Sequence, residues 1–431
     1  MKRLKMDYVS TLLAAALLVT ATSAQAAVHR VYEGESIQAA IDAASSGDTI
    51  LVEPGIYQAD PASTYGLRIT KDNLRLIGKV KKGQGEAGKV RLVYQADDDG
   101  DDTNGQKTGV YAAPADCDYK LSTKDCEEIL GSGFEYLKGF YIRGFSVEGF
   151  PVNGIQTRWV DGFEFVRNES ANNLNNGIYP TLSANGLVRN NESYGSLDTA
   201  MWVAGSENVR VIGNELHSSV IGFEITVSND VQVTQNDIYN NTVGVGLFHP
   251  NGAGNPPLPV MANWVIEHND VSSNNGIDVN GNPIVAPPGS FQADLPPGAG
   301  ILLLGVSDAS LSKNNVEDND YVGIGVLGWC TATNGTANSC DLKPPVDPEF
   351  GFQNPAANNN LVAQNYLSGN GGKPPVGAPF PPADLLYLQF EPGAAGNCFK
   401  KNKPKNSVTF YAAYPPSALP PEGGPLPTDG C

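Results

Sequence analysis

The sequence predicts an all-β fold, a solenoid of stacked coils, because two short phrases recur along the chain. The first is a mixed apolar and polar run that ends in Asn, as in Phe165-Val166-Arg167-Asn168. The second is Gly followed by alternating apolar residues, as at Gly177-Ile178. Short β-like segments that repeat about every 22 residues are typical of strand solenoids, whereas helical repeats need longer periods and a 3.6-residue pattern.

The recurring Asn is predicted to occupy one corner of every coil. Asn tolerates the left-handed backbone of a tight turn, and its amide can hydrogen-bond to the Asn one coil away. We therefore expect an internal ladder that has no role in ligand binding. Its expected members are Asn168, Asn190, Asn214, Asn236, Asn269, Asn314 and Asn365.

Length and composition fit one extended domain. The 431 residues are 41% hydrophobic, too high for a disordered chain, and the 48 Gly and 31 Pro are too many for a helical bundle. We expect the solenoid to span residues 27–400, with inserted loops at about 97–131, 250–262, 276–299 and 329–357. A Pro-rich tail, residues 401–431, follows it.

Residues 1–26 have the pattern of a cleavable signal peptide. Lys2, Arg3 and Lys5 precede a short apolar run, and small residues up to Ala26 offer a cleavage site. The run is too short to span a membrane. We therefore expect a secreted or periplasmic protein that is not an integral membrane protein.

Six Cys residues favour disulfides in an oxidising compartment. Pairing between nearest neighbours is the simplest arrangement, because each pair then closes a local loop. Zinc ligation is the alternative, although no Cys-x-x-Cys motif or His cluster supports it. The expected pairs are Cys117–Cys126, Cys330–Cys340 and Cys398–Cys431.

The N-terminal region resembles the entry to a known fold. Residues Ile37 to Ala44 fit a helix that covers the open end of the core, and Gly47 to Val52 fit the first strand after it. With the repeats, these segments resemble the right-handed parallel β-helix, or pectin-lyase-like, superfamily over roughly residues 28–400. Within it, the sequence most resembles secreted parallel β-helix repeat proteins related to the nitrous-oxide-reductase copper maturation protein and to alginate C5-epimerases.

This resemblance implies a right-handed parallel β-helix with an N-terminal α-helical cap. It implies much less about activity, because the superfamily includes lyases, hydrolases, epimerases and adhesins. The closely spaced Asp-Pro-His-Asp motif of the alginate epimerases is absent from this sequence.

The strands that begin at the recurring Gly are predicted to carry the functional surface. Alternate residues of a strand share a face, so the residue two places after each Gly, or after Ala200 in one coil, points outward. This column is polar and aromatic in the early and middle coils, and we expect an inserted loop to cover its later Gly and Leu members. The column is Arg68, Tyr111, Gln156, Tyr179, Trp202, Glu224, Gly246, Leu302 and Gly325.

Exposed aromatic rings beside charged groups are typical of a sugar-binding surface, because rings stack on a pyranose while polar groups hold its hydroxyls. The candidate substrate-binding residues are Tyr111, Gln156, Tyr179 and Trp202, with His249 at the start of an inserted loop. The simpler interpretation of Tyr179 and Trp202 is a cross-strand pair that only stabilises the sheet.

Asp198 and Glu224 are the candidate acid and base. They lie on adjacent coils with an offset of about four residues, which gives a Cα separation of roughly 14 Å. Long side chains or a turn before the strand would bring the carboxyl groups nearer. We expect the spacing of an inverting glycosidase rather than the shorter one of a retaining enzyme. The alternative is that each acid is a solvated surface charge.

Arg158, the third candidate catalytic residue, suggests a different chemistry. Uronate lyases and epimerases neutralise a carboxylate and remove the adjacent proton. Arg158 would neutralise the carboxylate, and Tyr179 or His249 would act as base or acid. His217 and His268 are assigned no role.

The acidic run from Asp97 to Asp102 is a candidate calcium loop. Alternate oxygens from Asp97, Asp99 and Asp101 suit Ca²⁺, but the Glu that completes an EF-hand loop does not follow. The alternative is a solvated acidic turn. Ca²⁺ is the only cofactor that the sequence suggests.

The charge balance limits the partners. The chain has 28 Lys and Arg against 46 Asp and Glu, a net charge of −18, which disfavours nucleic acid, anionic membranes and polyanionic substrates. We expect a monomer that binds and modifies an extended polysaccharide as a hydrolase, lyase or epimerase. The alternative is a non-catalytic periplasmic or cell-surface β-helix that binds a glycan or a partner protein.

Overall fold

The computed structural model describes residues 26–58, 61–83, 85–95, 107–117, 126, 135–248, 262–329, 357–378, 382–388, 395–404, 410–412, 426 and 431. These residues form three parallel sheets of twelve, eleven and eleven strands, and each coil contributes one strand to each sheet in turn. The fold is therefore a right-handed parallel β-helix, and the fold class predicted from the repeats is confirmed.

Within each sheet the strands follow one another in chain order. The first sheet contains β1 (Val28–Val31), β2 (Thr49–Val52), β5 (Leu74–Gly78), β8 (Leu137–Arg143), β11 (Val160–Val166), β14 (Ala184–Arg189), β17 (Glu207–Ile212), β20 (Asn229–Thr234), β23 (Trp264–Glu267), β26 (Ala309–Ser312), β29 (Leu361–Ala363) and β32 (Cys398–Lys400).

The second sheet contains β3 (Gly55–Tyr57), β6 (Val90–Val93), β9 (Phe145–Glu148), β12 (Glu169–Ala171), β15 (Glu192–Tyr194), β18 (Glu215–His217), β21 (Asp237–Tyr239), β24 (Asp270–Ser272), β27 (Asn315–Glu317), β30 (Tyr366–Ser368) and β33 (Lys403–Pro404). The third sheet contains β4 (Tyr65–Ile69), β7 (Thr108–Ala112), β10 (Ile155–Arg158), β13 (Ile178–Thr181), β16 (Thr199–Ala204), β19 (Ile221–Thr226), β22 (Val243–Phe248), β25 (Ala299–Leu304), β28 (Val322–Leu327), β31 (Ala383–Leu388) and β34 (Phe410–Ala412).

The α-helix α1 (Ile37–Ala43) caps the N-terminal end of the core as predicted. Ser36 begins it, because its side chain accepts a hydrogen bond from the Ala39 N–H. Ile37 and Ile41, one turn apart, are buried against the end of the core. Strand β1, which precedes this helix, was not predicted.

An asparagine ladder runs through the corner between the first and second sheets. The side chain of Asn214 donates to Oδ1 of Asn236 at 2.9 Å, and the Asn214 backbone N–H donates to the same oxygen at 2.9 Å. The members are Asn168, Asn191, Asn214, Asn236, Asn269, Asn314, Asn365 and Asn402. The assignment of Asn190 was wrong by one residue, because the left-handed position (φ 54°) is the residue before the ladder Asn.

One inserted segment, residues 276–299, folds over the outer face of the third sheet. It contains a short 3-10 helix, Phe291–Asp294. Leu295 is buried in a cluster with Leu302 and Leu304, and the ring of Phe291 meets that of Phe248 edge-on at 5.4 Å. The prediction that an inserted loop covers the later part of the outward column is confirmed.

The cysteines only partly follow the predicted pairing. Cys398 and Cys431 form a disulfide with their Cα atoms 5.0 Å apart. Cys117 and Cys126 are buried beside Trp159 and Leu182 and no disulfide joins them, so this predicted pair is not formed. Burial, followed by the hydrogen bond with Cys126, raises the pKa of Cys117 to about 12, which keeps it a neutral thiol.

Several predictions fall outside the described residues and stay predictions. They concern the signal peptide up to residue 25, the calcium loop with Asp97, Asp99 and Asp101, the candidate substrate-binding residue His249, and the disulfide Cys330–Cys340. In the part of the chain that is described, no helix is long and apolar enough to cross a membrane.

Candidate active site

The strand register builds one outward column on the third sheet. Gln156 lies opposite Tyr179, and Trp202 lies opposite Glu224. Because Ile178 pairs with Met201, Tyr179 and Trp202 are also neighbours on adjacent coils. The outward column read from the sequence is therefore the column that the sheet presents.

Tyr179 and Trp202 form a half-buried aromatic stack in the middle of this column. Their ring centroids are 4.6 Å apart and their planes are inclined by 15°. Nε1 of Trp202 donates a hydrogen bond to Oγ1 of Thr226 at 2.9 Å, which fixes the indole orientation. The stack is the cross-strand pair of the simpler interpretation, and because both residues are only half-buried, part of the stack can still contact a ligand.

Tyr111 and Gln156 are not the exposed ligands that the sequence predicts. Tyr111 is 0% exposed: its ring stacks on that of Tyr65 with centroids 4.7 Å apart, and Cζ of Arg68 lies 5.0 Å from its ring centroid. Gln156 is also buried, and its Oε1 accepts a hydrogen bond from Asn153 Nδ2 at 2.9 Å. Both side chains are therefore buried in contacts within the protein that stabilise the third sheet.

Asp198 and Glu224 come together around one hydroxyl group. Oγ1 of Thr199 lies 3.2 Å from Oδ1 of Asp198 and 2.7 Å from Oε2 of Glu224. The two carboxyl oxygens are therefore at most about 6 Å apart, well below the separation expected from the backbone positions. Glu224 reaches back along its strand toward Thr199, which brings the two carboxyl groups near each other.

A fourth residue completes this cluster from the inserted segment. Nε2 of Gln292, in the 3-10 helix, donates to Oδ1 of Asp198 at 2.5 Å. Asp198 is 9% exposed and Glu224 is 5% exposed, so both carboxyl groups are largely withdrawn from solvent. We name Asp198, Thr199, Glu224 and Gln292 the acid-pair cluster.

Hydrogen-bond chemistry assigns the proton in this cluster. A threonine hydroxyl has one hydrogen, so it can donate to only one of the two carboxyl groups. Asp198 also accepts from Gln292, which suits an ionised carboxylate. Both contacts are satisfied when one carboxyl group carries a proton, as when protonated Glu224 donates to Thr199 and Thr199 donates to ionised Asp198.

The electrostatics of the pair agree with that assignment. Burial raises the pKa of Asp198 from 3.8 to about 6, and the hydrogen bonds from Thr199 and Gln292 act in the opposite direction. Burial, and then the charge of Asp198, raise the pKa of Glu224 well above 4.5. The pKa values of both carboxyl groups are therefore raised, that of Glu224 well above its ordinary range, and such tuning by burial and a neighbouring charge is typical of an acid/base pair.

Arg158 lies on the opposite side of the aromatic stack from the acid-pair cluster. It ends β10, its Cζ is 4.0 Å from the ring of Trp159, and it is half-buried. Burial raises the pKa of Tyr179 to about 12, and the charges of Glu224 and Asp198 add to this while that of Arg158 opposes it. Tyr179 thus stays protonated between the two sides of the site and does not suit the role of base.

The raised pKa of Asp198 has a consequence for stability. Between pH 4 and pH 6 the folded protein keeps a proton that the unfolded chain releases near its ordinary pKa of 3.8. Stability from this group is therefore present at low pH and lost as pH rises through about 6. We expect Asp198→Asn to be more stable than the wild type by about 1–3 kcal/mol at pH 7, with a smaller difference at pH 4.

Urea unfolding at both pH values measures this difference, with Glu207→Gln, an exposed acid on the first sheet, as the matched control. A difference between Asp198→Asn and the wild type that does not grow from pH 4 to pH 7 would contradict the buried charge.

Three parallel sheets wound around one core, with a carboxyl pair and an aromatic stack on an outer face, define a parallel β-helix protein with a candidate acid/base site. Residues 135–374, more than half of the chain, match the family model described as "Right handed beta helix region". The chain therefore belongs to the right-handed β-helix family. A search of curated proteins found no match.

Solved structures with a similar fold include the A-module of the mannuronan C-5 epimerase AlgE4 from Azotobacter vinelandii. It has a TM-score of 0.51 at 14% identity, over 87% of this chain and 98% of that one. A mutant DFA-IIIase from Arthrobacter chlorophenolicus A6, in complex with DFA-III, has a TM-score of 0.50 at 13% identity, over 89% of this chain and 85% of that one. At such low identities these likenesses show the fold alone.

Proposed function

We propose that this protein is a glycoside hydrolase that cleaves an extended, neutral polysaccharide on the outer face of the third sheet. One observation carries the proposal, namely that buried Glu224 and Asp198 share the Thr199 hydroxyl, an arrangement that one carboxylic acid and one carboxylate would satisfy. Glycoside hydrolysis needs this combination of a carboxylic acid and a carboxylate.

The geometry suggests the order of events. Glu224 donates its proton to the glycosidic oxygen while the carboxylate of Asp198 attacks the anomeric carbon, so the leaving sugar departs as an alcohol and a glycosyl ester forms on Asp198. Glu224, now ionised, removes a proton from water, which hydrolyses the ester and restores both groups. Separations of about 5–5.5 Å accompany this retaining chemistry, whereas the inverting route needs about 6.5–9.5 Å to hold a water.

The surroundings favour a neutral substrate. Tyr179 and Trp202 present ring surface beside the pair, which suits the apolar face of a pyranose. The net charge of −18 and the two acids repel a polyuronate, which Arg158 alone does not offset. The name of the mannuronan epimerase that shares the fold agrees with polysaccharide chemistry on such a surface. We further propose that the protein acts outside the cytoplasm, as its signal-like N-terminus and the Cys398–Cys431 disulfide suggest.

A panel of neutral and uronate polysaccharides tests the proposal. We expect a neutral member to yield shorter, saturated products whose fresh reducing ends keep the anomeric configuration of the cleaved bond, as read by NMR. Inverted products would contradict the retaining assignment, and unsaturated products would replace the hydrolase by a lyase. Glycan binding without any product would favour the non-catalytic binding protein.

Gln292 provides a test of how the inserted segment tunes the site. Its hydrogen bond lowers the pKa of Asp198, so Gln292→Ala removes stabilisation of the carboxylate. We expect the acidic limb of the profile of kcat/KM against pH to move upward by about one pH unit. Asn282→Ala is the control, because the Asn282 side chain donates to Asp278 within the same segment. A lower rate with an unmoved limb would mean that Gln292 only supports the fold.

A further inference from the structure

A second cluster of ligand-type side chains lies on the outer face of the second sheet, away from the acid-pair cluster. Glu192 in β15 and Glu215 in β18 are direct neighbours on adjacent coils. His217 follows Glu215 by two residues and so projects from the same face. One ligand atom from each of the three residues lies within 4.8 Å of the other two.

The imidazole of His217 is held in a fixed orientation. It is stacked between the rings of Tyr194 and Tyr239, with centroid distances of 5.0 and 5.1 Å, and the residue is only 7% exposed. Nδ1 lies 3.0 Å from Oγ of Ser218. A hydrogen on Nδ1 that is donated to Ser218 leaves the Nε2 lone pair available, which is how partners of the second nitrogen prepare metal-binding histidines.

The distance between two of the donor atoms matches a small transition-metal ion. Nε2 of His217 is 3.4 Å from Oε1 of Glu192. Two ligands at 2.0–2.2 Å from a tetrahedral Zn²⁺ are separated by about 3.3–3.5 Å. The hydroxyl of Tyr239 donates to Oε1 of Glu215, an outer contact of the kind that orients a metal-binding carboxylate.

The acidic residues around the cluster also favour binding of a cation. Acidic residues occupy one outward column on five successive coils of the second sheet, at Glu169, Glu192, Glu215, Asp237 and Asp270. Like charges directly opposite one another on neighbouring strands repel. A divalent ion bound at the centre of this column would offset the repulsion.

We propose that Glu192, Glu215 and His217 form a binding site for one divalent transition-metal ion of the Zn²⁺ class, with the remaining coordination position open to water or another ligand. The imidazole selects against Ca²⁺, which prefers an all-oxygen set. The site stands independently of the proposed hydrolase, because it lies on another sheet and shares no residue with the acid-pair cluster.

Calorimetric titration of the untagged full chain with ZnCl₂ tests the site. We expect one equivalent to bind, and Co²⁺ at the same site to give the intense visible absorption of a tetrahedral complex. His217→Phe keeps an aromatic ring in the stack but removes the nitrogen ligand, and Glu192→Gln removes a charged oxygen. We expect each substitution to weaken Zn²⁺ binding at least about tenfold.

His268→Asn is the matched control, because His268 forms an exposed pair with Glu267, Nδ1 to Oε2 3.7 Å, and belongs to no group of three metal-ligating side chains among the described residues. We expect this variant to bind Zn²⁺ like the wild type. Absence of Zn²⁺ binding in the wild type, or undiminished binding in both His217→Phe and Glu192→Gln, would overturn the proposal. Circular dichroism of the variants distinguishes loss of the ligand from loss of the fold.

Discussion

Glu224→Gln is expected to lower glycan hydrolysis by at least about 100-fold, the usual contribution of a general acid or base. Glutamine has almost the same shape and can still donate a hydrogen bond to Thr199, but it has no proton to transfer to a leaving oxygen. Asp198→Asn is expected to have a similar effect, because an amide oxygen is a poor nucleophile. Product release from the responsive polysaccharide, followed by mass spectrometry, measures both losses.

The two changes are expected not to add. Residues that act together in one step give a double variant about as inactive as either single variant. Glu207→Gln, the exposed acid on the first sheet, is expected to keep wild-type activity. Activity within a few-fold of the wild type in Glu224→Gln or Asp198→Asn would show that the acid pair is not the catalytic pair.

Asn236→Leu is expected to be the most destabilising of the substitutions considered. Its side chain accepts from the Asn214 backbone N–H and side chain at 2.9 Å each, and donates to the Val211 carbonyl at 3.2 Å. Leucine fills the space but removes these buried hydrogen bonds, and each buried group left without a partner costs about 1–3 kcal/mol. We expect a loss of about 3–6 kcal/mol in the free energy of unfolding, measured by urea denaturation.

The control for the ladder is Asn315→Leu. Asn315 lies on the outward face of β27, half-buried, where the same change of side chain removes no internal ladder contact. We expect its unfolding midpoint to stay close to that of the wild type. Equal losses in the two variants would mean that the corner amides do not contribute to stability in the way the hydrogen bonds suggest.

The repeat made the fold predictable. The period of two along each strand predicts which face of the sheet a side chain lies on, and the period of about 22 along the chain predicts which residues pair on adjacent coils. The positions of Tyr179, Trp202 and Glu224 on one outward column followed directly. The ladder was displaced by one residue at Asn190 because consecutive Asn residues satisfy the sequence pattern equally well. Only the inward side chain of Asn191 distinguishes them.

The parts of the site that depend on non-repeating contacts were not predictable. Gln292 comes from an inserted segment whose path no period describes, and the reach of Glu224 back to Thr199 depends on side-chain conformation. Tyr111 was mistaken for an exposed ring because the alternation of a strand predicts which face a side chain lies on, but not which other side chains cover that face. His217 was assigned no role, although an outward His two residues after Glu215, one coil from Glu192, was the available signal.

The most direct test of the central claim is the reaction in H₂¹⁸O with the responsive polysaccharide, analysed by mass spectrometry. Hydrolysis through the acid pair predicts one ¹⁸O at each new reducing end, and loss of these products in Asp198→Asn and Glu224→Gln. Unlabelled, unsaturated products, or labelled products that persist in both variants, would contradict the account.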